Sequence, residues 1–150
     1  MTTLSRYVVD TSVCIKHFIS DPLTPKVNQL FDHFDNPSTE IFVPDLFYIE
    51  CANVFWKYVR AGMYSAAEVQ ADLMTLKSLR FHMVSTVDFI ENVISIAIEY
   101  NISAYDASYV ALSRQVNATL LTLDQKLVRV LADSTNDVQL FNDFEIPPLP

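Results

Sequence analysis

Four carboxylates stand where this chain could do chemistry: Asp10, Glu50, Asp106 and Asp124. Asp10 directly follows the apolar run RYVV and precedes Thr11-Ser12, and Asp124 repeats that arrangement after ATLLTL. Asp106 opens a helical pattern just before the second run, in ISAYDASYVAL, and Glu50 lies within a longer pattern that begins at Asp45. Carboxylates crowded into one cleft repel each other, which raises the pKa of some and destabilises the empty cleft until a cation enters. An all-oxygen set suits Mg2+ or Mn2+, which keep several waters and bind one or two carboxylates together with a phosphate. Each acid also has an ordinary structural reading. Asp10 and Asp124 can be helix N-caps, Ser103 and Asp106 fit a capping box, and Glu50 can pair with Lys57 on a solvated face.

The elements that must position these acids decide between the readings. Short apolar runs alternate with longer periodic segments, which reads as an α/β fold around a mainly parallel sheet whose central strands are covered on both faces. The pattern predicts strands near 6–9, 41–43, 81–84, 119–122 and 138–141. Helices are expected near 12–19, 23–35, 45–61, 65–79, 86–100, 104–116 and 125–132. In the helix from Asp45 to Gly62, Phe47, Cys51, Val54 and Tyr58 make an apolar stripe with Glu50 at its border; the next helix repeats core spacing at Val69, Leu73, Leu76 and Leu79. Asp10 and Asp124 then close two strands at their carboxyl ends, where open α/β sheets bind ligands, and Asp106 opens the helix leading into the second strand. Helix capping alone does not require such convergence.

Composition narrows the class. A chain of 150 residues suits one domain. Cys14 and Cys51 sit among apolar neighbours without metal-ligand spacing, which points to a reducing, cytoplasmic setting. The opening MTTLSRYVVD lacks a signal-peptide core, and no apolar run approaches the about 20 residues that cross a bilayer, so no membrane partner is expected. A net charge of −8 argues against broad adhesion to nucleic acid, but a loaded acidic cluster presents positive charge locally. Lys16, Lys57, Arg60, Arg114 and Lys126 are the nearest candidate phosphate contacts. His17, His33 and His82 are scattered without zinc spacing and read as surface or structural residues. EIPPLP reads as an irregular tail.

Asp10-Thr11-Ser12 after a hydrophobic strand, Glu50 with Asn53, Tyr105-Asp106-Ala107 opening a helix, and Leu121-Thr122-Leu123-Asp124 together resemble the ordered acidic motifs of PIN-domain ribonucleases. The likeness is greatest to VapC-type toxins of type II toxin–antitoxin systems, and its densest part is ISAYDASYVALSRQVNATLLTLDQKL. The resemblance implies a three-layer α/β/α fold with a five-stranded sheet of order 3-2-1-4-5, a nuclease domain over 1–146 and a proline-rich tail over 147–150. It implies a Mg2+- or Mn2+-dependent ribonuclease with RNA as substrate, and Asp10, Glu50, Asp106 and Asp124 as its catalytic, metal-binding quartet. Ser12, Asn53 and Thr122 match supporting polar positions, and a homodimer and a cognate antitoxin protein are implied partners. A housekeeping RNA-processing nuclease and a non-catalytic binding protein on the same fold are the alternatives. A receiver domain would need an acid where Ser85-Thr86 follows the third strand, and an Asp-x-Asp phosphatase would need one where Ser12 stands.

Overall fold

The computed structural model describes residues 3–150. Five strands, β1 (Ser5–Val9), β2 (Thr39–Pro44), β3 (His82–Val84), β4 (Thr119–Thr122) and β5 (Val138–Leu140), form one sheet of order β3-β2-β1-β4-β5. Every neighbouring pair runs parallel. The order and class agree with the expectation. Central strands are apolar on both faces: Tyr7, Val8 and Val9 are all buried in β1, as are Leu120 and Leu121 in β4. The outer strands expose His82, Met83 and Gln139.

Helices α1 (Thr11–Phe18), α2 (Thr24–Phe31), α3 (Leu46–Arg60), α4 (Ala66–Ser78), α5 (Ile90–Tyr100), α6 (Ala104–Gln115) and α7 (Gln125–Val130) fall close to the expected segments. Two segments are shorter than the pattern predicts. The helix expected over 23–35 ends at Phe31 and tightens into a 3-10 turn over Asp32–Asp35, and that expected over 86–100 begins with a 3-10 turn over Thr86–Phe89. Helix α5 stops where Asn101 adopts left-handed backbone (φ 53°). Helix α6 is the central one: it packs on β1, β2 and β4 beneath α5, and every residue from Ala107 to Ser113 is buried.

The stripe on α3 also differs from the expectation. Phe47, Cys51 and Phe55 are its fully buried residues, while Val54 and Tyr58 sit at the border. Spacing at i, i+4, i+8 follows one side of the helix, and Phe55 meets Phe18 edge-on across it. On α4 only Leu76 is buried; Val69, Leu73 and Leu79 pack partly against the core. His33 is a satisfied core histidine: Nε2 donates to Pro147 O at 2.8 Å, and Nδ1 accepts from Asn36 Nδ2 at 3.1 Å. The irregular C-terminal segment is thereby tied to the body at Pro147. No helix of the described residues is long and apolar enough to cross a membrane.

Candidate active site

Sheet register brings the first acid to its partners. Val9 lies opposite Leu121, so Asp10 and Thr122, one residue further along each strand, emerge side by side at the carboxyl edge. Thr122 Oγ1 donates to Asp10 Oδ2 at 2.5 Å, and Ser12 Oγ donates to Asp10 Oδ1 at 2.5 Å. Each hydroxyl also accepts from the chain leaving β4: Leu123 N donates to Ser12 Oγ and Asp124 N to Thr122 Oγ1, both at 3.1 Å. Asp10 is also the N-cap of α1, accepting from Val13 N at 3.3 Å. Burial pushes its carboxyl up to about 6 against these three donors, and nearby Asp106 adds to the rise.

Asp106 and Asp124 face one cavity of about 260 Å³, with Ser103, Lys126 and Leu127 in its wall. The Asp106 carboxyl is raised by burial and then by the charge of Asp124, while the Ser103 hydroxyl holds it down. Half of the expected capping box is present, with Asp106 N donating to Ser103 Oγ at 3.0 Å. Asp124 caps α7 through Leu127 N at 3.1 Å. Capping and gathering at one edge therefore coexist: Asp10 and Asp124 cap their helices through their carboxylates, and Asp106 is capped by Ser103.

Glu50 stands on the adjoining wall. It shares a cavity of about 290 Å³ with Thr11, Ser12, Asn53 and Lys57, and one of about 600 Å³ with Leu46, Ile49, Asn53 and Tyr105. Its Oε1 accepts from the Tyr109 hydroxyl at 2.5 Å rather than pairing with Lys57. Thr11 Oγ1 lies 3.2 Å from that hydroxyl. Burial raises the Tyr109 phenol far above its ordinary range, and the hydrogen bond to Glu50 raises it further. Thr11 and Tyr109 are not among the residues singled out from sequence. The available signal is spacing: Tyr109 is three residues past Asp106 on α6, hence on the same face.

The cations divide as geometry dictates. Lys57 and Lys126 line the site cavities; Lys16 is held by Asp21 at 3.0 Å. Arg114 lies in a cavity with Asn117, Asn136 and Asp137, at the entry to β4 and so at the opposite edge. The donors available to a metal are all carboxylate oxygens. Among the described residues no group of three or more His, Cys, Asp or Glu side chains is placed to hold a metal ion. Asp106 and Asp124 share one cavity, and a hydrated divalent cation needs only one or two carboxylates, the rest of its shell being water and phosphate.

A parallel sheet of this order with acids at the carboxyl edge of its first and fourth strands defines a class, and the chain belongs to it: the PIN domain family model matches residues 7–132. Among curated relatives, the chain is similar to Ribonuclease VapC3 of Pyrobaculum aerophilum, at 28% identity covering 81% of this chain and 92% of that one. It is also similar to Ribonuclease VapC9 of Mycobacterium tuberculosis, at 30% identity covering 80% and 87%. Of solved structures, PAE2754 from Pyrobaculum aerophilum shares the fold with a TM-score of 0.66 and 24% identity over 84% of this chain and 79% of that one. VapBC2 from Rickettsia felis, bound to a DNA fragment from its promoter, does so with a TM-score of 0.62 and 13% identity over 90% and 98%.

Proposed function

We propose that this protein is a Mg2+- or Mn2+-dependent ribonuclease that hydrolyses RNA phosphodiester bonds as the toxin of a toxin–antitoxin pair. The observation that carries the reading is the meeting of Asp10, Asp106 and Asp124 at one sheet edge, with two of their carboxyls raised by burial and mutual charge. It occurs in a chain whose curated relatives are named VapC ribonucleases. Asp106 and Asp124 would hold the cation, with Asp10 beside them and Glu50 as a further ligand or orienting base. When bound, the cation polarises the phosphodiester and lowers the pKa of water, the nucleophile. Ser12 and Thr122 keep Asp10 aimed at the cleft, and Asn53, exposed between two cavities, faces the substrate path. Lys57 and Lys126 offer the charge that draws a phosphate backbone into an acidic protein.

An antitoxin would cover the cavity that Ile49 and Tyr105 line, since these are 67% and 63% exposed and share its wall with Glu50. Ile90, Ile94 and Ile98 form an exposed apolar row on α5, the surface on which a homodimer would form. The nuclease domain is assigned to 1–146, of which residues 1 and 2 lie outside the described residues, with 147–150 as its tail. Cytoplasmic action accords with Cys14 and Cys51 as free, buried thiols.

The test is cleavage of a mixed pool of structured and single-stranded RNA by purified protein in EDTA, Mg2+ or Mn2+, beside folded Asp106→Asn. Metal-dependent cutting that falls more than about 100-fold in the variant supports the reading. Equal cutting by the variant at limiting metal, or none by the wild type in any metal, overturns it.

A further inference from the structure

Glu50 differs from the three aspartates in that another helix claims one of its oxygens. The Tyr109 hydroxyl donates to Oε1 at 2.5 Å, and Thr11 Oγ1 lies 3.4 Å from the same oxygen. A phenol oxygen that gives its one proton to a carboxylate is left as an acceptor, so the 3.2 Å contact is the Thr11 hydroxyl donating to Tyr109. Tyr109 is 3% exposed, and its neighbours Ser108 and Val110 are buried as well, so packing fixes the ring. A buried hydroxyl bonded to a carboxylate is a strong, charge-assisted pair, costly to break because the buried phenol cannot turn to water.

We propose that Tyr109 is the positioning residue for Glu50, turning Oε1 inward so that only Oε2 is presented to the cleft. The inference rests on the metal-site reading above. Tyr109 and Asp106 ride on α6 three residues apart, so one helix places the aspartate and clamps the glutamate of α3. Without this bond Glu50 swings with the rotamers of a half-buried side chain at the helix border. Thr11 follows Asp10 directly and, by donating to the Tyr109 hydroxyl, ties the pair to the start of α1. Tyr109 thereby links the elements that carry Asp10, Glu50 and Asp106.

The test is Mn2+ binding to the full chain by calorimetry, for wild type, Tyr109→Phe, Glu50→Gln and the double variant, with circular dichroism and urea unfolding as controls. Tyr109→Phe keeps the ring and the fold and should weaken Mn2+ binding about 10-fold, the lower end for loss of a group orienting a ligand. The double variant should bind no more weakly than Glu50→Gln alone, because the hydroxyl acts only through that carboxylate. Wild-type affinity in Tyr109→Phe, or losses that multiply in the double variant, overturns the role of Tyr109. A wild type that binds no Mn2+ overturns the metal reading itself. Thr11→Val, at the half-buried end of the network, serves if Tyr109→Phe does not fold; it should weaken Mn2+ binding and show the same coupling to Glu50→Gln, and independence there also overturns the proposal.

Discussion

Thr122 and Asp10, 112 positions apart in the chain, are joined by a 2.5 Å hydrogen bond in which the threonine hydroxyl donates to Oδ2. Thr122 is fully buried, and its oxygen also accepts from Asp124 N at 3.1 Å. One side chain thus connects the acid that ends β1 to the backbone of the acid that follows β4.

Thr122→Val preserves shape and removes both bonds. The variant is expected to lose about 1–3 kcal/mol of stability, because the Asp10 oxygen and the Asp124 N–H lose their partner. Cleavage should fall about 10- to 100-fold, as for other losses around a metal ligand. Urea unfolding and RNA cleavage on one preparation check this; unchanged values in both would show that the bond is not formed in solution.

Asp10 gives metal-free stability a defined pH dependence. Its carboxyl titrates at about 6 in the fold against an ordinary 3.8, so folding favours the protonated form. The associated stability is fully present below the ordinary value and is lost as pH rises through about 6, amounting to at most about 3 kcal/mol. Asp10→Asn removes this dependence, and its amide can donate once the Thr122 hydroxyl turns to accept. In EDTA, the variant should therefore gain on the wild type by up to about 3 kcal/mol between about pH 4 and about pH 7.5. Parallel pH profiles in urea unfolding would contradict the assignment.

Asp72 carries a cost outside the site. Its Oδ2 is a buried atom without a hydrogen-bond partner among the described residues, and burial raises its carboxyl, partly offset by His17. Asp72→Asn should stabilise the protein by about 1 kcal/mol at neutral pH, a rise of about 2–4 °C in melting temperature, with RNA cleavage unchanged. A lower melting temperature would mean that the carboxylate has a partner in solution.

Much of the architecture was legible because it rests on local periodicity. Doubly apolar runs such as YVV and TLL mark covered parallel strands, and the helices between them ended within a few residues of their expected limits. The capping residues Asp10, Asp45, Ser103 and Asp124 all accept hydrogen bonds from the helices they precede. Less legible was the side of α3 that faces inward: periodicity admits both Val54 and Phe55, and packing against Phe18 selects the larger ring. Pairing partners were not legible either. Asp45 caps its own helix but also binds Thr86 N at 3.1 Å and the Thr86 hydroxyl, which joins α3 to the segment before α5.

The sequence by itself determined the element order, the α/β class and the placing of Asp10 and Asp124 at strand ends, since these follow from residue type and short-range spacing. Only the tertiary structure decided that Thr122 and Ser12 would grip Asp10, that Asp106 would face Asp124, and that Glu50 would turn to Tyr109 instead of Lys57. Those choices depend on strand register and on which groups burial deprives of water. A polar group cut off from solvent must take the partner that packing puts within reach, whatever its neighbours in the chain.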